Sequence, residues 1–175
     1  MNACKIAKVW QAEGTAGIVQ TLKAMRSLII ASDSTREVKT QAKAIIAPFK
    51  PDDEAGQVNA IFDWVELNML YVRDIYDVEE LTRPDRVVCN INNHLDTHSS
   101  DCDDFAMLLC ALLRSVGFKT RVEALAIQSD KGYDHARAAV YMGSLNCWWP
   151  LEATRPGMRP GTGMESKLEI LGLEI

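Results

Sequence analysis

Apolar residues recur at helical spacing along the first half of the chain. Ile18, Leu22, Met25, Leu28 and Ile29 form a stripe that predicts a helix over residues 14–32, ended by Asp33-Ser34. Val38, Ala42, Ile45 and Ile46 predict a second helix over residues 35–47, stopped by Pro48 and Pro51. Val58, Ile61, Phe62, Val65 and either Leu67 or Met69 predict a third, from Glu54 to about Met69, with Asp52 or Asp53 as its cap. Leu70-Tyr71-Val72 reads as a short extended segment. Residues 73–101 are polar and irregular, with Pro84 and the cluster Asn90, Asn92, Asn93. A loop of that length inside a domain is usually functional or partly helical.

The pattern then changes. Phe105, Leu108, Leu109, Leu112 and Val116 keep helical spacing, which predicts a helix from Cys102 with one buried face and Gly117 as its stop. Residues 120–128 read as a strand, 129–132 as a turn, and 135–142 as a second strand in which His135, Arg137, Ala139 and Tyr141 share a face. Gly143-Ser144 turns the chain into a third strand over residues 146–151. After a segment rich in Pro and Gly, residues 167–175 are expected to add an edge strand. The last third is therefore an antiparallel meander.

Composition narrows the class. The 175 residues are 47% hydrophobic, enough for a sizeable core in one domain. A net charge of −5, with no basic run or stripe, argues against nucleic-acid binding. No apolar stretch reaches membrane-spanning length, so no membrane partner is expected. Residues 1–10 contain no long apolar run of the kind a secretory leader carries. The five cysteines, Cys4, Cys89, Cys102, Cys110 and Cys147, are odd in number and widely spaced, which favours reduced thiols and a cytoplasmic setting over a disulfide framework.

The chemistry concentrates on Cys102. Asp101 is placed to cap its helix, and Asp104 follows three residues later as in a capping box. A thiol in a first helical turn meets unsatisfied N–H groups and the positive end of the helix dipole, both of which favour thiolate. Asp101, Asp103 and Asp104 oppose it by like-charge repulsion, and are expected to point outward into capping bonds and solvent. His135 at a strand start and Glu152 after an aromatic strand complete the order Cys, His, acid, the thiol analogue of a hydrolase triad. Glu152 lies 17 residues after His135, across one hairpin, and an adjacent antiparallel strand is expected to place its carboxylate against the outer imidazole nitrogen. Cys89, His94, His98 and Cys102 show a C-x4-H-x3-H-x3-C spacing, but the gaps match no standard structural zinc site, and neither metal nor cofactor is expected. Cys110 and Cys147 read as structural thiols. Trp148-Trp149, Arg155, Arg159, Tyr71 and Asp74 are candidates to line a site, with core packing or solvated loops as the simpler reading.

These residues resemble the transglutaminase-like superfamily, relatives of papain-type proteases. The matching segments are Asp101-Cys102-Asp103-Asp104-Phe105-Ala106, Val116-Gly117-Phe118-Lys119-Thr120-Arg121-Val122, Asp134-His135-Ala136-Arg137-Ala138-Ala139-Val140 and Trp148-Trp149-Pro150-Leu151-Glu152-Ala153-Thr154, with Ile61-Phe62-Asp63-Trp64-Val65 and Tyr71-Val72-Arg73-Asp74 upstream. Gln20-Thr21-Leu22-Lys23-Ala24-Met25 is similar to short bacterial and bacteriophage members. The resemblance implies an α+β fold, a nucleophile helix packed on an antiparallel sheet with N-terminal helices. Residues 1–53 are then a helical extension and residues 54–175 the catalytic domain. It implies Cys102 as nucleophile, His135 as general base and acid, and Glu152 as orienting acid, in a cysteine protease or amide hydrolase acting on a protein or peptide substrate in a bacterial or phage-infected cell. A protein-glutamine transglutaminase, or a silent binding or assembly protein, are the alternatives. Two positions depart from the pattern: Ser100 stands where Gly is usual, and Glu152 where Asp is usual.

Overall fold

The computed structural model describes residues 7–8, 14–72, 80–93, 98–128 and 132–175. In chain order the elements are β1 (Ala7–Lys8), α1 (Thr15–Asp33), α2 (Arg36–Ile46), α3 (Glu54–Asn68), β2 (Met69–Tyr71), β3 (Glu80–Leu81), α4 (Pro84–Asn92), β4 (His98–Ser100), α5 (Cys102–Ser115), β5 (Thr120–Leu125), β6 (His135–Met142), β7 (Cys147–Leu151) and β8 (Leu171–Glu174). The four-stranded sheet runs β7-β6-β5-β8, antiparallel throughout. β1 pairs with β3 antiparallel and β2 with β4 parallel. Of the positions named above, Cys4 and the rest of residues 1–6, residues 9–10, Arg73, Asp74, His94 and residues 129–131 lie outside the described residues.

α5 is the axis of the molecule. Every residue from Asp103 to Leu113 is buried, so the helix has no solvent face and the expected single buried stripe is corrected to burial all round. The reason is enclosure: α1, α2, α3 and α4 pack against α5, and so do β5 and β6. Met107, Cys110 and Ala111, off the predicted stripe, are each fully buried. Leu22, Met25 and Ile29 of α1 and Val38 and Ala42 of α2 belong to the same buried cluster. Met69, at 7% exposure, is the inward residue at the end of α3, whereas Leu67 is 83% exposed.

Local signals explain the helix ends. Asp53 Oδ1 accepts the Gly56 N–H at 2.9 Å and caps α3. α5 ends in a Schellman motif: Gly117, at φ 101°, donates its N–H to Arg114 O, and Phe118 donates to Leu113 O. α4 is the element the pattern left as irregular. Pro84 opens it at its first turn and Val87 and Val88 are buried. Nine residues with two fully buried apolar side chains make a weak periodic signal, and burial against α1, α2 and α5 is what secures the helix.

The connection from β7 to β8 crosses from one edge of the sheet to the other. Gly161 N–H bonds Pro150 O at 2.9 Å, Arg137 Nη1 bonds Met164 O at 3.0 Å, and Lys167 N–H bonds Ala126 O at 2.7 Å. Beside this crossing lies a buried ion network. Glu123, 1% exposed, accepts Arg121 Nε and Arg137 Nε, each at 2.7 Å. Pro150 in β7 costs no ladder bond on the outer side because β7 is an edge strand.

Candidate active site

Cys102 is the first residue of α5, as its cap dictates. Asp101 is extended (φ −87°, ψ −170°) and its carboxylate accepts the Asp104 N–H at 3.4 Å, so helical geometry begins at the thiol. The half-buried Sγ donates to Asp103 Oδ1 at 3.6 Å.

His135 opens β6, in register with Leu125 of β5. Its neighbour Asp134 fixes that start. The Asp134 N–H bonds Leu125 O at 3.0 Å, and its carboxylate accepts Ile127 N–H at 2.7 Å and Gln128 N–H at 3.2 Å. β7 runs antiparallel beside β6, with Leu151 opposite Ala138, which carries Glu152 back toward the strand start. The result is a buried pair: His135 Nε2 and Glu152 Oε2 lie 2.7 Å apart, with side-chain exposures of 9% and 1%. Thr154 Oγ1 donates to the second carboxylate oxygen at 2.5 Å. Burial pushes the Glu152 carboxyl up. The hydrogen bond and charge of His135, and bonds from Thr154, outweigh it and hold the pKa below the usual 4.5. The extra methylene of Glu relative to Asp is therefore accommodated with a short, direct bond. With Nε2 engaged by the carboxylate, Nδ1 is the imidazole nitrogen left for a proton-transfer partner.

Asp101 makes the expected capping bond, but Asp103 and Asp104 do not point outward as expected. Asp103 is 5% exposed and Asp104 is 4% exposed. Because α5 is enclosed, positions just past its cap turn into the protein. Asp104 is compensated there, accepting Thr82 N–H at 2.8 Å and Ser100 Oγ–H at 2.9 Å. Thr82, Asp134 and Thr154 were not singled out by pattern; an Asp or Thr forming such bonds carries no periodic signal.

The other candidates are engaged elsewhere or placed at the surface. The Arg121 guanidinium lies 4.4 Å from the Trp148 ring centroid and Tyr141 meets that ring edge-on at 5.4 Å. Trp149 packs against the core and against Gly161. Arg159 Nη1 pairs with Asp63 Oδ1 at 2.9 Å in an exposed contact, and Arg155 is exposed. Tyr71 lies edge-on to Phe105 of α5 at 6.4 Å. Burial pushes the Cys110 thiol up to about 12, as suits a structural cysteine, whereas Cys147, read in the same way from the sequence, is exposed at the start of the edge strand β7. Among the described residues, no helix is long and apolar enough to cross a membrane.

Comparison with known proteins agrees with this architecture. The family model of the transglutaminase-like superfamily matches residues 40–153, from α2 through Ala153. No curated protein matches the sequence. Two solved structures are similar in fold. One, from Parabacteroides distasonis ATCC 8503, is named a "putative protease"; it has 14% identity, a TM-score of 0.52, and covers 82% of this chain and 30% of its own. The other, from Cytophaga hutchinsonii, is named a "putative cysteine protease"; it has 16% identity, a TM-score of 0.52, and covers 96% of this chain and 60% of its own. This chain thus spans less than two thirds of either. The family match runs through α3, the cysteine helix, the histidine strand and the aromatic strand that leads to Glu152, and on that ground the chain belongs to the transglutaminase-like superfamily.

Proposed function

We propose that this protein is a cysteine protease or amide hydrolase that works through Cys102, His135 and Glu152. The observation that carries the reading is the buried His135–Glu152 bond of 2.7 Å, which orients an imidazole at the start of the strand against which the cysteine helix packs. In this reading His135 takes the thiol proton and Cys102 Sγ attacks the carbonyl carbon of an amide. The oxyanion is met by helix-terminal N–H groups, that of Cys102 among them. The C–N bond breaks, the amine leaves with the proton held by His135, and a thioester remains. Water, deprotonated by His135, attacks the thioester; the acid leaves and the thiol is restored. Glu152 stabilises the imidazolium at both stages. Residues 54–175 carry the chemistry, and the helices within residues 1–53 pack against α5. Hydrolysis is favoured over transamidation because no motif in the sequence marks an amine-binding site. The substrate class is a protein or peptide, in line with the names of the two similar structures.

The test is the pH dependence of iodoacetamide labelling at Cys102, followed by mass spectrometry, in wild type and His135→Ala. Labelling of Cys102 well below pH 8, ahead of exposed Cys147 and slowed by about tenfold or more without His135, is expected for an activated thiol. Labelling no faster than Cys147 and indifferent to His135 refutes the reading and leaves a binding protein on this fold. Among the described residues, the carboxylate of Asp103 against the thiol favours that second reading. Labelled amine incorporated into a glutamine-bearing protein would mark a transglutaminase instead.

A further inference from the structure

Asp104 lies two residues beyond the thiol, buried, with both carboxylate oxygens bonded to parts of the chain outside its helix. Oδ1 accepts the N–H of Thr82, in the link between β3 and α4. Oδ2 accepts the hydroxyl of Ser100, the last residue of β4 and the register partner of Tyr71 in β2. Its own N–H is held by the Asp101 cap. A carboxylate at 4% exposure is tolerated only where donors meet it. Here the donors come from two separate segments, so its burial is stabilised in one arrangement of three pieces of chain. At about 100° per residue, Cys102 and Asp104 lie roughly 200° apart around the helix, on opposite sides of it. Holding one side of the first turn sets the direction in which the other side faces.

We propose that Asp104 is a positioning residue: its bonds to Thr82 and Ser100 fix the rotation of the α5 tip and so aim the Cys102 thiol and the helix-terminal N–H groups. The inference rests on the proposed thiol chemistry. It also gives Ser100 a purpose at the position where the superfamily resemblance leads one to expect glycine, since its hydroxyl supplies one of the two bonds. The sign of the effect separates aiming from charge. Removing the negative charge alone weakens repulsion of a thiolate and speeds alkylation. Losing the aim slows it, because displacements near 1 Å at a reacting group cost up to about a hundredfold.

The experiment compares wild type, Asp104→Asn, Asp104→Ala and Ser100→Gly in the full chain. It reads Thr82 amide exchange by NMR and iodoacetamide labelling of Cys102, with exposed Cys147 as internal reference. Asp104→Asn keeps an acceptor for the Thr82 N–H and is expected to label at least as fast as wild type. Asp104→Ala is expected to speed Thr82 exchange and slow Cys102 labelling by about tenfold or more, with Cys147 unchanged. Ser100→Gly removes one bond and is expected to slow Cys102 labelling by about two- to fivefold; it also serves if Asp104→Ala fails to fold. Faster Thr82 exchange with Cys102 labelling unchanged overturns the proposal and makes Asp104 structural only. Slowing in Asp104→Asn as large as in Asp104→Ala also overturns it. A wild-type Cys102 that is indifferent to His135→Ala fails the proposed function itself, and this inference falls with it, by a different measurement.

Discussion

At Glu152 burial and ion pairing act in opposite directions, and the pairing wins. The carboxyl pKa is held below the 4.5 of a free group, so the folded state binds its proton less readily than the unfolded chain. Its contribution to stability is therefore complete above about pH 4.5 and is lost as pH falls through the folded value. Glu152→Gln, which keeps the shape and removes the charge, is expected to cost about 1–3 kcal/mol near neutrality. Thermal melts of both proteins from pH 7 to 3 check this: the gap between them should narrow only below about pH 4.5. Cys110 gives a second expectation. With its thiol pushed to about 12 and fully buried, it should stay unlabelled in the native protein and react only on unfolding. Labelling with and without denaturant reads this directly. At this scale the sequence named the triad candidates by residue type and order. The burial of Asp103 and Asp104 was not legible, because an aspartate after a helix cap is usually solvated and only the enclosure of α5 makes these two interior.

Among the elements, α5 carries most. Its beginning and end are written locally, the first in the Asp101 cap and the second in Gly117. Gly117 sits at φ 101°, with nothing within 4 Å of an added Cβ, so the constraint there is backbone strain rather than space. Gly117→Ala is expected to destabilise the protein by about 1 kcal/mol, read as a lower denaturation midpoint with an unchanged slope. Turn chemistry places strands β5 to β7 closely enough that β6 begins at the predicted His135, although burial along β6 does not alternate because both of its faces are covered over most of its length. α4 was hidden because a helix of nine residues draws its stability from neighbours and not from its own period.

For the whole molecule, the crossing from β7 to β8 and the charges beside it tie one face of the sheet together. Glu123 compensates Arg121 and Arg137, and Arg137 is also bonded to Met164 O of the crossing. Glu123→Ala strands the guanidinium of Arg137, whose side chain is 8% exposed, and is expected to cost about 3–5 kcal/mol; urea unfolding measures it. Arg121, 28% exposed, contributes less because solvent screens it. None of this network was legible in advance, since its members are distant or alternate residues whose pairing depends on strand register. Periodicity, caps and turn residues carry α1, α2, α3, α5 and the meander, because those signals act over a few neighbouring residues, while residue type and chain order marked Cys102, His135 and Glu152. The pairing of Glu152 with His135 was expected from strand order, but its 2.7 Å bond, the burial of α5 from Asp103 to Leu113 and the bonds of Asp104 to Thr82 and Ser100 arise only when separate segments are brought to one place. They depend on distances through space that no local pattern encodes.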